Sequence, residues 1–143
     1  MFVCTGNTCR SPMAEYILKD LLKKSGVEDI KVSSAGLSCE EEGINPKAKA
    51  ALKDLGITVR RYKAHTATAD LCRKQNAVIC MTEAHKSRFV GFDNVYTINE
   101  LTGSGDIPDP YGLEQSAYDE CAKALLSACT KIKDLLTREA KTE

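Results

Sequence analysis

The chain has 143 residues, and its 20 Lys and Arg residues balance 20 Asp and Glu residues, so the formal net charge is zero. This length favours one compact domain over residues 1–143, while the balanced charge and the lack of a long apolar run predict no nucleic-acid or membrane partner. The seven cysteines follow neither a zinc-site spacing nor a paired disulfide framework, which favours a reducing compartment and therefore a cytoplasmic protein. We expect the chain to act as a monomer.

The first half of the sequence alternates short apolar runs with helical patterns. A strand over residues 1–3 is followed by a polar loop and by a helix over about 11–24, whose apolar positions recur on one face. Residues 30–35 predict a second strand. A second helix is predicted over residues 45–55, because a capping asparagine is followed there by a proline at the first helical position.

The second half continues the alternation and ends in a long amphipathic pattern. Strands that alternate with helices predict an α/β fold, a single doubly wound domain with a four-stranded parallel sheet and helices on both faces. Ligands of such folds bind at the carboxyl ends of the strands, where the loop after the first strand lies. The further predicted elements are a brief helix over 68–73, a strand over 77–81, a helix from Thr82 to about Val90, a strand over 94–97, a loop over 102–112 and a last helix over about 114–139.

The loop after the first strand reads Cys-Thr-Gly-Asn-Thr-Cys-Arg-Ser over residues 4–11. A tight loop between a strand and a helix N-terminus binds anions, because its backbone N–H groups and the helix dipole both favour negative charge. Arg10 can hold two phosphate oxygens in a bidentate fork, and the same positive field stabilises Cys4 as a thiolate nucleophile. We therefore expect Cys4 and Arg10 to be catalytic. The expected phosphate-binding residues are Thr5, Gly6, Asn7, Thr8, Cys9 and Arg10.

Ser11 follows this loop and is a candidate for two supporting roles, a helix cap and a hydrogen-bond donor to the Cys4 thiolate. Elsewhere in the sequence no spacing of His, Cys, Asp or Glu is typical of a metal site. We therefore expect neither a metal nor a cofactor.

The loop and the proline after it resemble the Cys-x-Gly-Asn-x-Cys-Arg-Ser-Pro signature of the low-molecular-weight protein tyrosine phosphatases. The resemblance extends from Phe2 to the last predicted helix. It implies a hydrolase that acts on phosphorylated proteins in two steps, through a phospho-cysteine intermediate on Cys4. It also implies that Cys4 and Cys9 can form a reversible disulfide under oxidation, which would protect Cys4 from further oxidation.

Phosphoryl transfer also needs an acid for the leaving group and a base for the attacking water. Asp109 lies in a loop that reads Asp-Ile-Pro-Asp-Pro-Tyr-Gly from Asp106, and an aspartate beside proline is in itself typical of a turn. The resemblance implies that Asp109 is the general acid and that Tyr111 forms one wall of the substrate pocket. Asp106 is the competing candidate for the acid.

The resemblance also implies supporting residues around the loop. His65 is expected to hydrogen-bond Asn7, and residues 34–36 are expected to pack beside the loop. His85 lies in a helical segment rich in charge, and we expect it to face solvent.

The substrate is predicted from position 8 of the loop, which is Thr8 where tyrosine phosphatases of the family usually carry Ile or Leu. A threonine hydroxyl could accept a hydrogen bond from a guanidinium or orient a water. These features favour phosphoarginine as the substrate, with phosphotyrosine as the alternative. The bacterial protein arginine phosphatases of the same family resemble the chain at this loop, at Met81-Thr82, at Thr102-Gly103-Ser104 and at Gly112.

A thiol oxidoreductase is a further alternative, because arsenate reductases share the predicted fold and a similar Cys-x5-Arg loop. Their chemistry needs two additional cysteines on a mobile segment. Cys72, Cys80 and Cys121 have neither the order nor the setting for that relay. A phosphoprotein-binding module without catalysis would keep the loop but lack Asp109, so a phosphatase is the preferred interpretation.

Overall fold

Four short strands form a parallel sheet at the centre of the fold: β1 (Phe2–Cys4), β2 (Ser34–Gly36), β3 (Val78–Cys80) and β4 (Val95–Thr97). In the computed structural model, which describes residues 1–142 with side chains through Arg138, they are arranged in the order β2-β1-β3-β4. The register pairs Cys4 with Gly36, so the carboxyl ends of β1 and β2 lie side by side. The predicted four-stranded parallel α/β fold is confirmed.

Helices connect and follow these strands within residues 1–142. They are α1 (Arg10–Lys24), α2 (Pro46–Asp54), α3 (Ala69–Arg73), α4 (Glu83–Lys86), α5 (Ile98–Thr102) and α6 (Gln115–Thr142). The two longest helices, α1 and α6, pack against each other, and α2 packs against both. Because α1 also packs against β1 and β2, its N-terminus is held at the carboxyl edge of the sheet.

Two hydrophobic clusters cover the two faces of the sheet. Phe2 and Cys4 of β1 belong to the larger cluster beneath α1, α2 and α6, whereas Val3 between them belongs to the smaller one. This alternation follows from the pleat, which points successive side chains to opposite faces. The smaller cluster packs α3 and the segment after α4 on the other face, through Val3, Cys72, Val78, Cys80, Phe89 and Val95.

The predicted starts of α2, α3 and α4 are confirmed, and each of these helices has a capping side chain. Asn45 caps α2 by accepting a hydrogen bond from the Lys47 N–H, and Pro46 occupies the first helical position. Thr68 and Thr82 cap α3 and α4 in the same way. The predicted apolar stripe of α6 is buried from Tyr118 to Ile132, with Leu136 partly buried.

Two boundaries differ clearly from the sequence-based prediction, and one helix was missed. β2 begins at Ser34 rather than residue 30, and α4 ends at Lys86 rather than Val90. Beyond the helix, Val90 is 88% exposed, whereas Phe89 beside it is buried in the smaller cluster. The prediction missed α5, which is too short to show a helical period and is marked instead by the capping box of Thr97 and Glu100.

The long helix α6 runs to Thr142, three residues beyond its predicted end. The predicted domain boundary at Glu143 lies outside the described residues. Within the described part of the chain, no helix combines the length and the apolar character needed to cross a membrane.

Candidate active site

The loop of residues 4–11 lies at the carboxyl edge of the sheet, between the end of β1 and the start of α1. Gly36, in the neighbouring strand, lies directly against it. A Cβ atom at Gly36 would lie 2.8 Å from the Thr5 carbonyl oxygen and 2.9 Å from the Asn7 nitrogen, both of them backbone atoms. The prediction that residues 34–36 pack beside the loop is confirmed, and the contact requires glycine.

Asn7 holds the loop in its conformation. Its φ of 57° is the only positive φ of a non-glycine residue in the described part of the chain, and its side chain is fully buried. The side-chain amide donates to Ser11 Oγ at 2.8 Å and to Ser34 Oγ at 2.9 Å. Its oxygen accepts the backbone N–H of His65 at 2.9 Å. A left-handed backbone is costly for asparagine, and these three bonds stabilise it.

Ser11 connects this network to Cys4. The Ser11 Oγ accepts from Asn7 and lies 2.9 Å from Cys4 Sγ, so its own proton can be donated to the sulfur. The alternative prediction that Ser11 caps α1 is wrong. The helix begins at Arg10, with Cys9 at the N-cap position and no side-chain cap bond.

The predicted hydrogen bond from His65 to Asn7 exists, but the backbone makes it rather than the imidazole. The His65 side chain is exposed, while the residue's N–H donates to Asn7 and its carbonyl accepts the Gly36 N–H at 2.8 Å. This segment pairs with the end of β2 through its backbone, so any residue except proline could supply both groups. The predicted hydrogen bond is therefore confirmed, and the imidazole has no part in it.

Arg10 joins the loop to the segment of residues 106–113. Its side chain is 5% exposed, and Nη1 donates to the Ile107 carbonyl at 3.1 Å. Nη2 lies 3.5 Å from Asp109 Oδ2 and 3.5 Å from Thr5 Oγ1. The guanidinium thus contacts Thr5 of the loop on one side and Ile107 and Asp109 on the other.

Asp109, and not Asp106, reaches the pocket. Asp109 is 49% exposed, lies beside Arg10 and accepts the Tyr111 N–H at 3.1 Å. Asp106 instead accepts the backbone N–H of Glu83 at 3.2 Å, at the start of α4. Of the two candidate acids, only Asp109 lines the pocket.

The pocket above Cys4 is open and has a volume of about 220 Å³. Its mouth includes Glu40 and Glu41, which the sequence analysis did not identify as site residues. Both are exposed, and the Tyr111 hydroxyl donates to Glu41 at 3.0 Å across the mouth. Their place follows from the topology, because their loop leaves the end of β2 beside the end of β1. The lining residues are Cys4, Thr5, Gly6, Thr8, Cys9, Arg10, Ser38, Glu40, Glu41, Asp109 and Tyr111.

His85 was expected to face solvent, and this prediction is wrong. Its side chain is buried, with Nε2 2.9 Å from Thr5 Oγ1 and Nδ1 3.0 Å from Thr82 Oγ1. Burial, together with the nearby Arg10 charge, lowers the pKa of His85 to about 4, so the imidazole is neutral near pH 7. Its position in the sequence could have predicted this place, because His85 follows β3 and the carboxyl end of β3 adjoins that of β1.

Cys9 lines the pocket beside Cys4, and both thiols are free. Its sulfur lies 3.7 Å from Thr8 Oγ1 and 3.6 Å from the Tyr118 hydroxyl. Burial raises the pKa of the Cys9 thiol, which keeps it protonated near neutral pH. The disulfide between Cys4 and Cys9 stays a prediction.

The other cysteines weighed for a thiol relay lie away from the pocket. Cys72 and Cys80 belong to the cluster on the opposite face of the sheet, and Cys121 is buried on α6. Burial raises the pKa of Cys80 and that of Cys121 to about 12, so neither is a thiolate at neutral pH. Among the described residues, no three His, Cys, Asp or Glu side chains are grouped to hold a metal ion.

A cysteine and an arginine at the two ends of one anion-binding loop, with an aspartate beside the arginine, define the class of cysteine-dependent phosphatases. The family model described as "Low molecular weight phosphotyrosine protein phosphatase" matches residues 1–142. The chain belongs to this family, and it is a protein phosphatase.

Named relatives include enzymes for two substrates. The protein-arginine-phosphatase of Bacillus subtilis is 38% identical over 128 residues, which cover 84% of each chain. The low-molecular-weight protein-tyrosine-phosphatase PtpB of Staphylococcus aureus is 28% identical over 95% of this chain and 97% of its own. A solved structure of the arginine phosphatase YwlE has a TM-score of 0.89 and 33% identity, covering 99% of this chain and 97% of that one. That structure is a cysteine-to-serine variant with a phosphorylated active-site serine.

Proposed function

We propose that the chain hydrolyses phosphorylated side chains of proteins in two steps, with Cys4 as the nucleophile. The observation that carries this proposal is that Cys4, Arg10 and Asp109 line one open pocket. In the first step the Cys4 thiolate attacks phosphorus, an S–P bond forms, and the bond from phosphorus to the leaving atom breaks. In the second step water attacks phosphorus, the S–P bond breaks, and inorganic phosphate leaves with the Cys4 thiolate restored.

Asp109 is proposed to move the protons of both steps. As a carboxylic acid it protonates the leaving nitrogen or oxygen, and as the resulting carboxylate it accepts a proton from the attacking water. Its place beside Arg10 supports this role, because the carboxyl is near the bound phosphate while half of its surface is open to substrate.

Arg10 and the backbone N–H groups of residues 5–9 are proposed to hold the phosphate oxygens. Nη1 of Arg10 is already tied to the Ile107 carbonyl, so the guanidinium is oriented before substrate binds. Donors that are fixed in advance stabilise developing charge without the cost of reorganising at the moment of reaction.

Ser11 is proposed to stabilise negative charge on the Cys4 sulfur. Its hydroxyl receives a bond from Asn7 and has two possible acceptors for its own proton, of which Cys4 Sγ at 2.9 Å is nearer than the Ala35 carbonyl at 3.5 Å. The sulfur carries charge before the first step and again as the leaving group of the second. The phosphorylated active-site serine in the YwlE variant supports a covalent phospho-enzyme at the corresponding cysteine.

Phosphoarginine is the substrate that we favour. Thr8 presents a hydroxyl in the wall of the pocket, and the only protein partner of that oxygen among the described contacts is Cys9 Sγ at 3.7 Å. The oxygen can therefore accept a hydrogen bond from a substrate guanidinium. The 38% identity to a protein-arginine-phosphatase supports the same choice.

Phosphotyrosine is the second candidate, and Tyr111 is the observation that favours it. The Tyr111 ring is 57% exposed at the mouth of the pocket, where it can stack on an aromatic substrate. The description of the matching family names this substrate class.

A panel of phosphorylated peptides tests the proposal. Release of inorganic phosphate from phosphoarginine, phosphotyrosine, phosphoserine and phosphothreonine peptides is measured with the purified chain and with Cys4→Ser. We expect the highest kcat/KM on phosphoarginine and no turnover by Cys4→Ser. If kcat/KM is higher on phosphotyrosine than on phosphoarginine, phosphotyrosine is the preferred substrate and the favoured choice is wrong. Thiol-dependent reduction of arsenate without phosphate release contradicts the phosphatase chemistry.

We further propose that the enzyme works as a monomer in the cytoplasm. The chemistry of a free nucleophilic thiol supports a reducing compartment, and all seven cysteines of the chain are free. Sedimentation of the purified chain across a range of concentrations tests the monomer.

A further inference from the structure

His85 is a buried polar residue that the proposed chemistry does not use. It lies on α4, and only 6% of its surface is exposed. Each ring nitrogen has one partner, with Nε2 2.9 Å from Thr5 Oγ1 and Nδ1 3.0 Å from Thr82 Oγ1. A neutral imidazole has one donor and one acceptor nitrogen, so both partners are satisfied at once.

Thr82 fixes the position of the ring. Its Oγ1 caps α4 by accepting the backbone N–H of His85 at 3.2 Å, and the same oxygen meets Nδ1. The imidazole is therefore tied by its own backbone and by a capping side chain at the end of β3. A ring held in this way can orient a more mobile partner.

Thr5 is that partner. It is exposed in the loop, and its Oγ1 lies between His85 Nε2 at 2.9 Å and Arg10 Nη2 at 3.5 Å. Without the imidazole, the hydroxyl of an exposed threonine would turn to water. With Nδ1 protonated, Nε2 accepts the Thr5 proton, and the lone pairs of Thr5 Oγ1 remain for Arg10.

We propose that His85 is a positioning residue that orients the Thr5 hydroxyl toward Arg10 and so holds the guanidinium in its phosphate-binding orientation. The inference rests on the proposed function, in which Arg10 binds the phosphate of the substrate. Ile107 and Asp109 restrain the guanidinium from one side, and Thr5 with His85 behind it restrains the other.

The test uses variants that separate the effect of the Thr5 hydroxyl from the effect of the His85 imidazole. Thr5→Val removes the hydroxyl and Thr5→Ser keeps it, while His85→Leu removes the ring nitrogens and His85→Gln keeps an amide near Nε2. Ile132→Val is the control for lost stability, because Ile132 is buried on α6 and does not line the pocket. For each variant we measure inorganic phosphate binding by calorimetry, kcat and KM on an aryl phosphate, and the melting temperature.

Thr5→Val and His85→Leu are each expected to weaken phosphate binding and kcat/KM by about tenfold, the lower end of the effect of a hydrogen bond to a charged group. The double variant should lose no more than the worse single variant, because both changes break one chain of contacts. Thr5→Ser and His85→Gln should recover most of the loss, and Ile132→Val should melt earlier but bind phosphate normally.

Any of three results would overturn the inference. Thr5→Val could bind phosphate as tightly as the wild type, or the fold-losses of affinity in the two single variants could multiply in the double variant. The third result is that Ile132→Val loses as much phosphate affinity as Thr5→Val. If His85→Leu does not fold, the matched pair at Thr5 still decides. Phosphate binding needs no turnover, so a chain that binds phosphate but hydrolyses nothing contradicts the proposed function and leaves this test valid.

Discussion

The pocket has two walls of opposite character. The first wall, which consists of residues 4–11 with Ser34 and Gly36 behind them, is mostly buried, and the Asn7 side chain makes three hydrogen bonds there. The second wall, residues 106–113, is mostly exposed: Asp109 is 49% exposed and Tyr111 is 57% exposed. Arg10 is the bridge between the two, because it extends from the first wall and donates to Ile107 in the second.

This difference matches two tasks of the proposed reaction, which are phosphate binding in the first wall and proton transfer in the second. Holding a phosphate requires donors fixed in advance, and buried polar groups with all their partners present supply that rigidity. Protonating a varied leaving group requires an acid that a protein substrate can approach, and an exposed loop supplies that access. Variants of the first wall should therefore change stability together with activity, whereas variants of the second should change activity alone.

The largest expected effect is at Cys4, the proposed nucleophile. Cys4→Ser should abolish turnover, because a serine hydroxyl in this loop is far less nucleophilic than a thiolate, and it should leave phosphate binding largely intact. Steady-state assays and phosphate calorimetry measure the two properties separately. Cys39→Ser is the matched control, since Cys39 contacts the His65 carbonyl and does not line the pocket. Turnover by Cys4→Ser, or loss of wild-type turnover with a chelator, would contradict the mechanism.

The second largest effect is expected in the exposed wall. Asp109→Asn should lower kcat by roughly 10²–10⁴-fold, the usual range for a positioned proton transfer. The loss should shrink for substrates with good leaving groups, and the melting temperature should stay near that of the wild type. Asp106→Asn is the control, because Asp106 contacts the Glu83 N–H at the start of α4. A greater loss of activity in Asp106→Asn would reverse the assignment.

The residues of the site could be predicted from the sequence to different extents. Cys4 and Arg10 could be placed together because one motif contains both, and the family resemblance assigned Asp109 to the same site. The supporting contacts could not be placed, because they depend on which atoms meet. His65 contributes its backbone instead of its ring, and His85 is buried against Thr5 although its helix is rich in charge. Side-chain orientation within a short helix leaves no periodic trace in the sequence.

The fold shows the same limit. The alternation of β1 between the two clusters and the stripe of α6 follow from residue periodicity, and both were predictable. The five-residue helix α5 was not, because one and a half turns cannot display a hydrophobic repeat. Its only local signal is the capping pair of Thr97 and Glu100, which a search for periodicity overlooks.

The third prediction tests the rigidity of the first wall by a substitution at Gly36. Gly36→Ala should lower the free energy of unfolding by about 3 kcal/mol, the upper end for overpacking, because the added Cβ meets backbone atoms that cannot turn away. Activity should fall as well, since the displaced atoms belong to the loop. Gly43→Ala is the matched control, with no atom within 4 Å of its Cβ, and should be nearly neutral. Denaturant unfolding and kcat/KM give both readouts. A stable, fully active Gly36→Ala would show that the wall is not rigid.

The smallest effect is expected at Thr8, a residue of the first wall that faces the substrate. Thr8 is 6% exposed and lines the pocket, so a change there alters which side chain fits rather than whether phosphate binds. Thr8→Ile adds apolar volume that can pack on a phenyl ring and removes the hydroxyl that can accept from a guanidinium. A methylene in such a pocket is worth roughly 1–3 kcal/mol, or about 10–200-fold in kcat/KM. We expect a change of about tenfold in the ratio of phosphotyrosine to phosphoarginine turnover.

A second substitution at the same position separates volume from hydrogen bonding. Thr8→Val keeps the size of threonine and removes only its hydroxyl, so it should lower phosphoarginine turnover without raising phosphotyrosine turnover. The measurement is kcat/KM for both substrates in the wild type and in the two variants. If both variants leave the substrate ratio unchanged, Thr8 is not the selecting residue. Tyr111, which extends from the exposed wall over the pocket mouth, would then be the next residue to vary, and selectivity would belong to the second wall.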